Sequence, residues 1–136
     1  MTPVNLEEFL RARFEEEGRV ARDAIAGAPG AVWGVMADDI EQVLTSQDHG
    51  TTHTPMVQFG ADDPVRLLTH VARHDPARVL RELDAKQALL EEHRTRDDGR
   101  CRTCREEASP RSPCTTLRLL AVPFAGDCGY DDSWRP

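Results

Sequence analysis

The run Cys101-Arg-Thr-Cys104, followed after nine residues by Cys114 and preceded by His93, constrains this chain more than any other stretch. Two cysteines separated by two residues form a tight hook whose sulfurs reach one soft tetrahedral cation without strain. Zinc takes four donors, and His93, Cys101, Cys104 and Cys114 make a Cys3His set. A set closed in this way reads as structural, because a catalytic ion keeps one position open to water or substrate. If His93 stands apart, Cys128 or His74 could close the site. The competing readings are ordinary reduced thiols and a redox dithiol at Cys101 and Cys104.

Composition explains why a staple would matter. The 136 residues suit one small domain with a modest core. Hydrophobic residues make up 39%, charged residues 30% and aromatics only 5%, and mean hydropathy is -0.55. The core is therefore thin and the solvated surface large. A net charge of -7 and a pI near 5.2 disfavour general binding to nucleic-acid phosphates or anionic membranes, though not a local basic patch. The opening Met1-Thr-Pro-Val-Asn-Leu-Glu-Glu has no cationic start and no apolar run, so no secretory signal is expected. No segment approaches the roughly 20 apolar residues that span a bilayer. A cytoplasmic location is expected, where thiols and metal sites outnumber disulfides.

Taken in order, residues 1–30 read as an N-terminal helix. Asn5 can cap its first turn, Glu8 can reach back, and Gly27-Ala-Pro-Gly30 ends it. Leu6, Phe9, Leu10, Phe14, Ala21, Ala24 and Ile25 form its apolar stripe, opposite a charged face. Residues 31–60 read as a hairpin and a loop. Ala31–Met36 and Ile40–Thr45 flank Asp38-Asp39, Ser46–Pro55 reads as a flexible loop, and Met56–Phe59 as a third short strand. A helix through Asp38 to Leu44 competes with the hairpin. Trp33 is expected in the core or on its rim. His49 and His53, without carboxylate or thiolate company, read as loop histidines.

Residues 62–93 read as a helical pair. Asp63 caps the first helix with Pro64 at its first position, and Leu67, Leu68 and Val71 face inward. Asp75 caps the second, ahead of Pro76, and Val79, Leu80, Leu83 and Leu90 form a stripe that Ala88 and Leu89 widen. This helix delivers His93 into a zinc loop, short helix and tail at 94–136. Five arginines, Arg94, Arg96, Arg100, Arg102 and Arg105, oppose Asp97, Asp98, Glu106 and Glu107 there, and could donate hydrogen bonds to the sulfurs. Cys114 opens a helix through about Ala121 that Pro123 stops, where amide dipoles would favour its thiolate. Tyr130 and Trp134, four apart, are expected to dock the tail on the core. The architecture expected is α+β and mainly helical, with three to four helices, a small hairpin and a zinc knuckle before the last helix.

The run His70-x-Ala-Arg-His-Asp-Pro-Ala-Arg-Val-Leu-Arg-Glu-Leu-Asp-Ala-Lys86, then His93, the Cys-x2-Cys pair, Pro113-Cys-Thr-Thr-Leu-Arg-Leu-Leu-Ala121 and the ending Tyr130-x3-Trp-Arg-Pro136 together resemble an uncharacterised family of small actinobacterial and phage proteins, the domain-of-unknown-function family 6221. The resemblance spans about residues 65 to 136, and more loosely the first helix and Trp33. It implies conservation of His93, Cys101, Cys104 and Cys114, and no known activity. At Gly126-Asp-Cys-Gly129 the chain departs from relatives that carry a His-Pro step, which makes Cys128 the weakest donor candidate.

Three functional classes follow. The first is a non-enzymatic module whose zinc loop and arginines meet a protein partner. The second is a nucleic-acid-associated zinc module that sets the Arg94 to Arg105 cluster on phosphate. The third is a metal-dependent hydrolase around His70, His74 and Asp75, weakened because Asp75 is already explained as a helix cap. The chain carries no Gly-rich phosphate loop, no Gly-x-Ser-x-Gly elbow and no His-Glu-x2-His.

Overall fold

A computed structural model describes residues 5–27, 30–37, 42–48, 51–58, 64–105 and 113–136. In order come α1 (Leu6–Gly27), β1 (Val32–Ala37), β2 (Gln42–Asp48), β3 (Thr51–Gln58), α2 (Pro64–Arg73), α3 (Pro76–Glu92) and α4 (Thr115–Ala121), with single 3-10 turns at Val122–Phe124 and Asp132–Trp134. The protein is α+β with helix as the larger share, as its sequence patterns predict. The chain divides into two compact units, one made of Met1–Glu16 and Leu83–Pro136 and the other of Glu17–Glu82.

The first unit has a core shared by α1, α3, α4 and the tail. α1 starts on a reciprocal cap, in which the Glu8 amide donates to Asn5 Oδ1 (2.9 Å) and the Asn5 amide to Glu8 Oε2 (3.3 Å). Leu6, Phe9, Leu10 and Phe14 follow at helical spacing and are all buried, together with Leu83 and Leu90 of α3 and Leu117 and Ala121 of α4. Each such leucine or phenylalanine contributes about 1.5–3 kcal/mol on leaving water. Phe9 is the hub of an aromatic cluster, with ring centroids 6.3 Å from Phe124, 6.0 Å from Tyr130 and 5.2 Å from Trp134. The tail thus docks through the two rings expected to do so. Arg118 of α4 fastens it, donating from Nε to the Trp134 carbonyl (3.2 Å) and from its terminal nitrogen to the Arg135 carbonyl.

The second unit contains an antiparallel sheet of order β1-β2-β3. β1 and β2 pair from Val32↔Gln47 to Ala37↔Gln42, which is the expected hairpin. Ser46–Pro55 is not a loop, however. β2 extends to Asp48 and β3 begins at Thr51, so strand backbone fills most of that stretch. Its polar character misled because a strand needs β-compatible residues more than apolar ones, and three threonines stand in β3. The register also shows where Pro55 is tolerated. Between the pairs Leu44↔Val57 and Ser46↔His53, Thr45 alone faces Thr54, Pro55 and Met56. A bulge on an edge strand accommodates the missing N–H.

α2 packs against β1 and β2, with Leu68 fully buried while Leu67, expected inside, is 42% exposed. Ala88 and Leu89 of α3 likewise lie outside. A helix buries a stripe no wider than its neighbour covers, and adjacent leucines point about 100° apart. Asp75 sits at the corner between α2 and α3. One carboxylate oxygen accepts the Arg78 amide (2.7 Å) as the α3 cap, and the other accepts the Trp33 amide of β1 (3.3 Å). Trp33 itself is partly buried. The turn at Asp38-Asp39, the cap Asp63, His49, and Glu106-Glu107 lie outside the described residues. Among the described residues no helix is long and apolar enough to cross a membrane.

Candidate metal centre

Three local structures of the first unit converge on one point. The first is the end of α3, where the His93 amide still bonds to the Leu89 carbonyl (3.0 Å), so the helix axis sets the imidazole's direction. The second is a small hairpin at 94–102. Thr95 and Cys101 form an antiparallel bridge, flanked by bonds from the Arg102 amide to the Arg94 carbonyl (2.9 Å) and from the Arg96 amide to the Arg100 carbonyl (2.8 Å). Gly99 takes the left-handed conformation that closes its turn (φ 74°), and Asp98 accepts the Arg100 amide. The third is the start of α4, where Cys114 is the N-cap in extended conformation.

The hook itself is a turn of the chain upon its own carbonyl. The Arg105 amide returns to the Cys101 carbonyl (3.1 Å), and Arg105 adopts φ 57°, unusual for a side chain with a Cβ. Thr103 Oγ1 donates to the Glu92 carbonyl, satisfying an end group of α3 and tying the hook to that helix. Glu7 of α1 accepts the Thr95 amide (2.9 Å). Sequence reasoning missed Thr103 and Glu7, because neither bond has a signature in local spacing.

His93, Cys101, Cys104 and Cys114 each offer one donor atom, all within 4.8 Å of one another. Cys101 Sγ lies 3.5 Å and Cys114 Sγ 3.8 Å from His93 Nδ1. Tetrahedral zinc, with bonds of about 2.3 Å to sulfur and about 2.0 Å to nitrogen, sets sulfur–nitrogen edges of roughly 3.5 Å. The two sulfur–nitrogen distances are close to that edge, and the four donors together could hold a metal ion. Cys101 and Cys114 are buried, whereas Cys104 is exposed, and no disulfide joins the cysteines. Neither Cys128 nor His74 belongs to the four.

The crowded sulfurs do not share charge evenly. Burial opposes the Cys101 thiolate, but hydrogen bonds from the Cys104 and Thr103 groups prevail and bring it down to about 7. Cys114 goes the other way, to about 12, chiefly through burial, and the neighbouring sulfurs Cys101 and Cys104 add to the rise. The dipole argument for a Cys114 thiolate is thus corrected. Its side chain makes no capping hydrogen bond, and the Leu117 amide's pull is outweighed by desolvation. A bound cation would reverse that balance, since its charge deprotonates coordinating thiols.

The arginines are partly occupied with carboxylates. Arg94 pairs with Glu91 (3.2 Å) and Arg96 with Asp98 (3.7 Å). Arg94, Arg96 and Arg102 line an open cleft of about 450 Å3 that they share with Thr95, Asp97 and Asp98. In the second unit the rings of His70 and His74 stand 4.8 Å apart. Asp75, the third member of the hydrolase reading, has both oxygens engaged by backbone amides.

The model of a family of unknown function, DUF6221, matches residues 3–136. No curated protein matches the chain, and no solved structure does.

Proposed function

Taking as premise that this chain belongs to the family of unknown function DUF6221, we propose that it is a small zinc-stapled protein, non-enzymatic, whose metal-held surface engages a protein partner. The observation that carries the reading is the closed group of one imidazole and three thiols within 4.8 Å. Sulfur donors select soft cations, and four protein donors leave no position for substrate. His93, Cys101, Cys104 and Cys114 are the ligands in this reading, and the ion ties the end of α3 to the start of α4. Leu119 and Val122, on α4 and just after it, are 56% and 46% exposed. They support a partner-facing role for the element that the ion would hold.

The test is the metal content of untagged protein by elemental mass spectrometry, with thiols counted before and after chelation. About one zinc per chain, with three thiols becoming reactive on chelation, is expected. No metal and four reactive thiols would overturn the reading.

The nucleic-acid alternative draws on the cleft shared by Arg94, Arg96 and Arg102. Asp97 and Asp98 in the same cleft, and the net charge of -7, weigh against it. DNA affinity falling steeply with salt would favour it over the protein partner.

A further inference from the structure

We infer that Cys104 is the site at which a peroxide oxidises this protein, and that the resulting Cys101–Cys104 disulfide expels the metal. The inference rests on the zinc reading above and adds to it a modification site. The four donors differ sharply in access: Cys101 and Cys114 are 1% and 2% exposed, while Cys104 is exposed. A thiolate attacks a peroxide along the O–O axis, which demands open space in front of the sulfur. Of these three cysteines only Cys104 is exposed, so an oxidant has access to it first.

The second requirement is a partner thiol near the oxidised sulfur yet shielded from the oxidant. Cys101 meets it. Its sulfur lies within 4.8 Å of Cys104, and the Arg105-to-Cys101 turn holds the two residues on one short loop. Cys114 Sγ lies within the same 4.8 Å, but Cys114 sits at the head of α4, whose Leu117 and Ala121 are buried, so moving it disturbs the core. Closing the Cys101–Cys104 pair spans only the short hook loop.

The chemistry balances with a two-electron peroxide as oxidant. Cys104 Sγ attacks one peroxide oxygen and the O–O bond breaks. Cys104 becomes a sulfenic acid, and the released hydroxide takes a proton to leave as water. The Cys101 thiolate then attacks Cys104 Sγ, the S–O bond breaks, and a second water departs with another proton as the S–S bond forms. The two sulfurs have lost two electrons and the peroxide has gained them. The ion keeps only His93 and Cys114, too few donors for a structural zinc site. A dithiol reductant with fresh zinc reverses the change.

The experiment uses the full chain carrying Cys128→Ser, which removes the other exposed thiol, loaded with zinc and assayed for metal at the start. Equimolar hydrogen peroxide is added, zinc release is followed with a chromophoric chelator, and disulfides are mapped by peptide mass spectrometry. Early samples are quenched with dimedone. About one zinc is expected per Cys101–Cys104 disulfide, with dimedone on Cys104 at least tenfold above Cys101 and Cys114, and recovery after dithiothreitol and zinc. Zinc retained through oxidation, a disulfide predominantly to Cys114, or first labelling at a buried cysteine would overturn this inference and leave the metal reading standing. Protein that takes up no zinc at the start would overturn both.

Discussion

Cys101 shows at the residue scale how one atom serves packing and chemistry together. It is 1% exposed and its sulfur faces His93 Nδ1 at 3.5 Å. Cys101→Ser keeps the size and removes the soft donor, so bound zinc should be lost and stability should fall by about 3 kcal/mol or more, given how much structural zinc contributes to folding. Elemental analysis beside a thermal melt checks both, and unchanged zinc and melting temperature would refute the ligand assignment. Asp75 is the corresponding residue of the second unit, with each carboxylate oxygen on a different backbone amide. Asp75→Ala should cost about 2–3 kcal/mol, a helix cap plus an orphaned strand amide. Urea denaturation reads that loss. Asp75 was legible as a cap because the signal is local: an acceptor three residues before a free helical amide. Its second bond, to Trp33 across 42 residues, had no such signal.

Elements add what residues cannot. The tail is held by Trp134 and Tyr130 against Phe9 and by Arg118 against two carbonyls. Trp134→Ala should therefore destabilise by about 3–5 kcal/mol. Limited proteolysis should cut the C-terminal segment before the rest, and a tail as resistant as in the parent protein would argue against this docking. α1 and α3 are joined in the first unit by the ion pair of Arg11 with Glu91 (2.5 Å). Arg11 first, then Arg94, holds the Glu91 carboxyl below the ordinary value of 4.5. A lowered folded value means the contribution is present above the ordinary carboxylate range and is lost as pH falls through the lowered one. Both side chains are more than 40% exposed, so water and salt keep the effect under about 1 kcal/mol. Urea midpoints at pH 7 and pH 3 should differ less in Arg11→Gln than in the parent. Element types were readable from periodicity and caps, whereas Leu67 and Leu89 were not, because the width of a buried stripe depends on the neighbour that covers it.

For the whole molecule, the proposed zinc staple should matter unevenly. All four donors belong to the unit of Met1–Glu16 and Leu83–Pro136. Removing zinc with a chelator should raise amide exchange at 93–105 and 113–121 well before α2 or the sheet, read by hydrogen-exchange mass spectrometry; uniform loss of protection would contradict a local staple. By itself the sequence pointed to the helices, the caps at Asn5 and Asp75, and the cluster of candidate donors His93, Cys101, Cys104 and Cys114. Each of these depends on residues close along the chain, where spacing translates directly into geometry. The tertiary structure decided which sulfurs are buried and which is exposed, that Cys114 meets His93 across 21 positions, and that Cys101 rather than Cys114 carries the easier negative charge. Burial and local charge are sums over neighbours brought together by packing, and no spacing of residues along the chain encodes those sums.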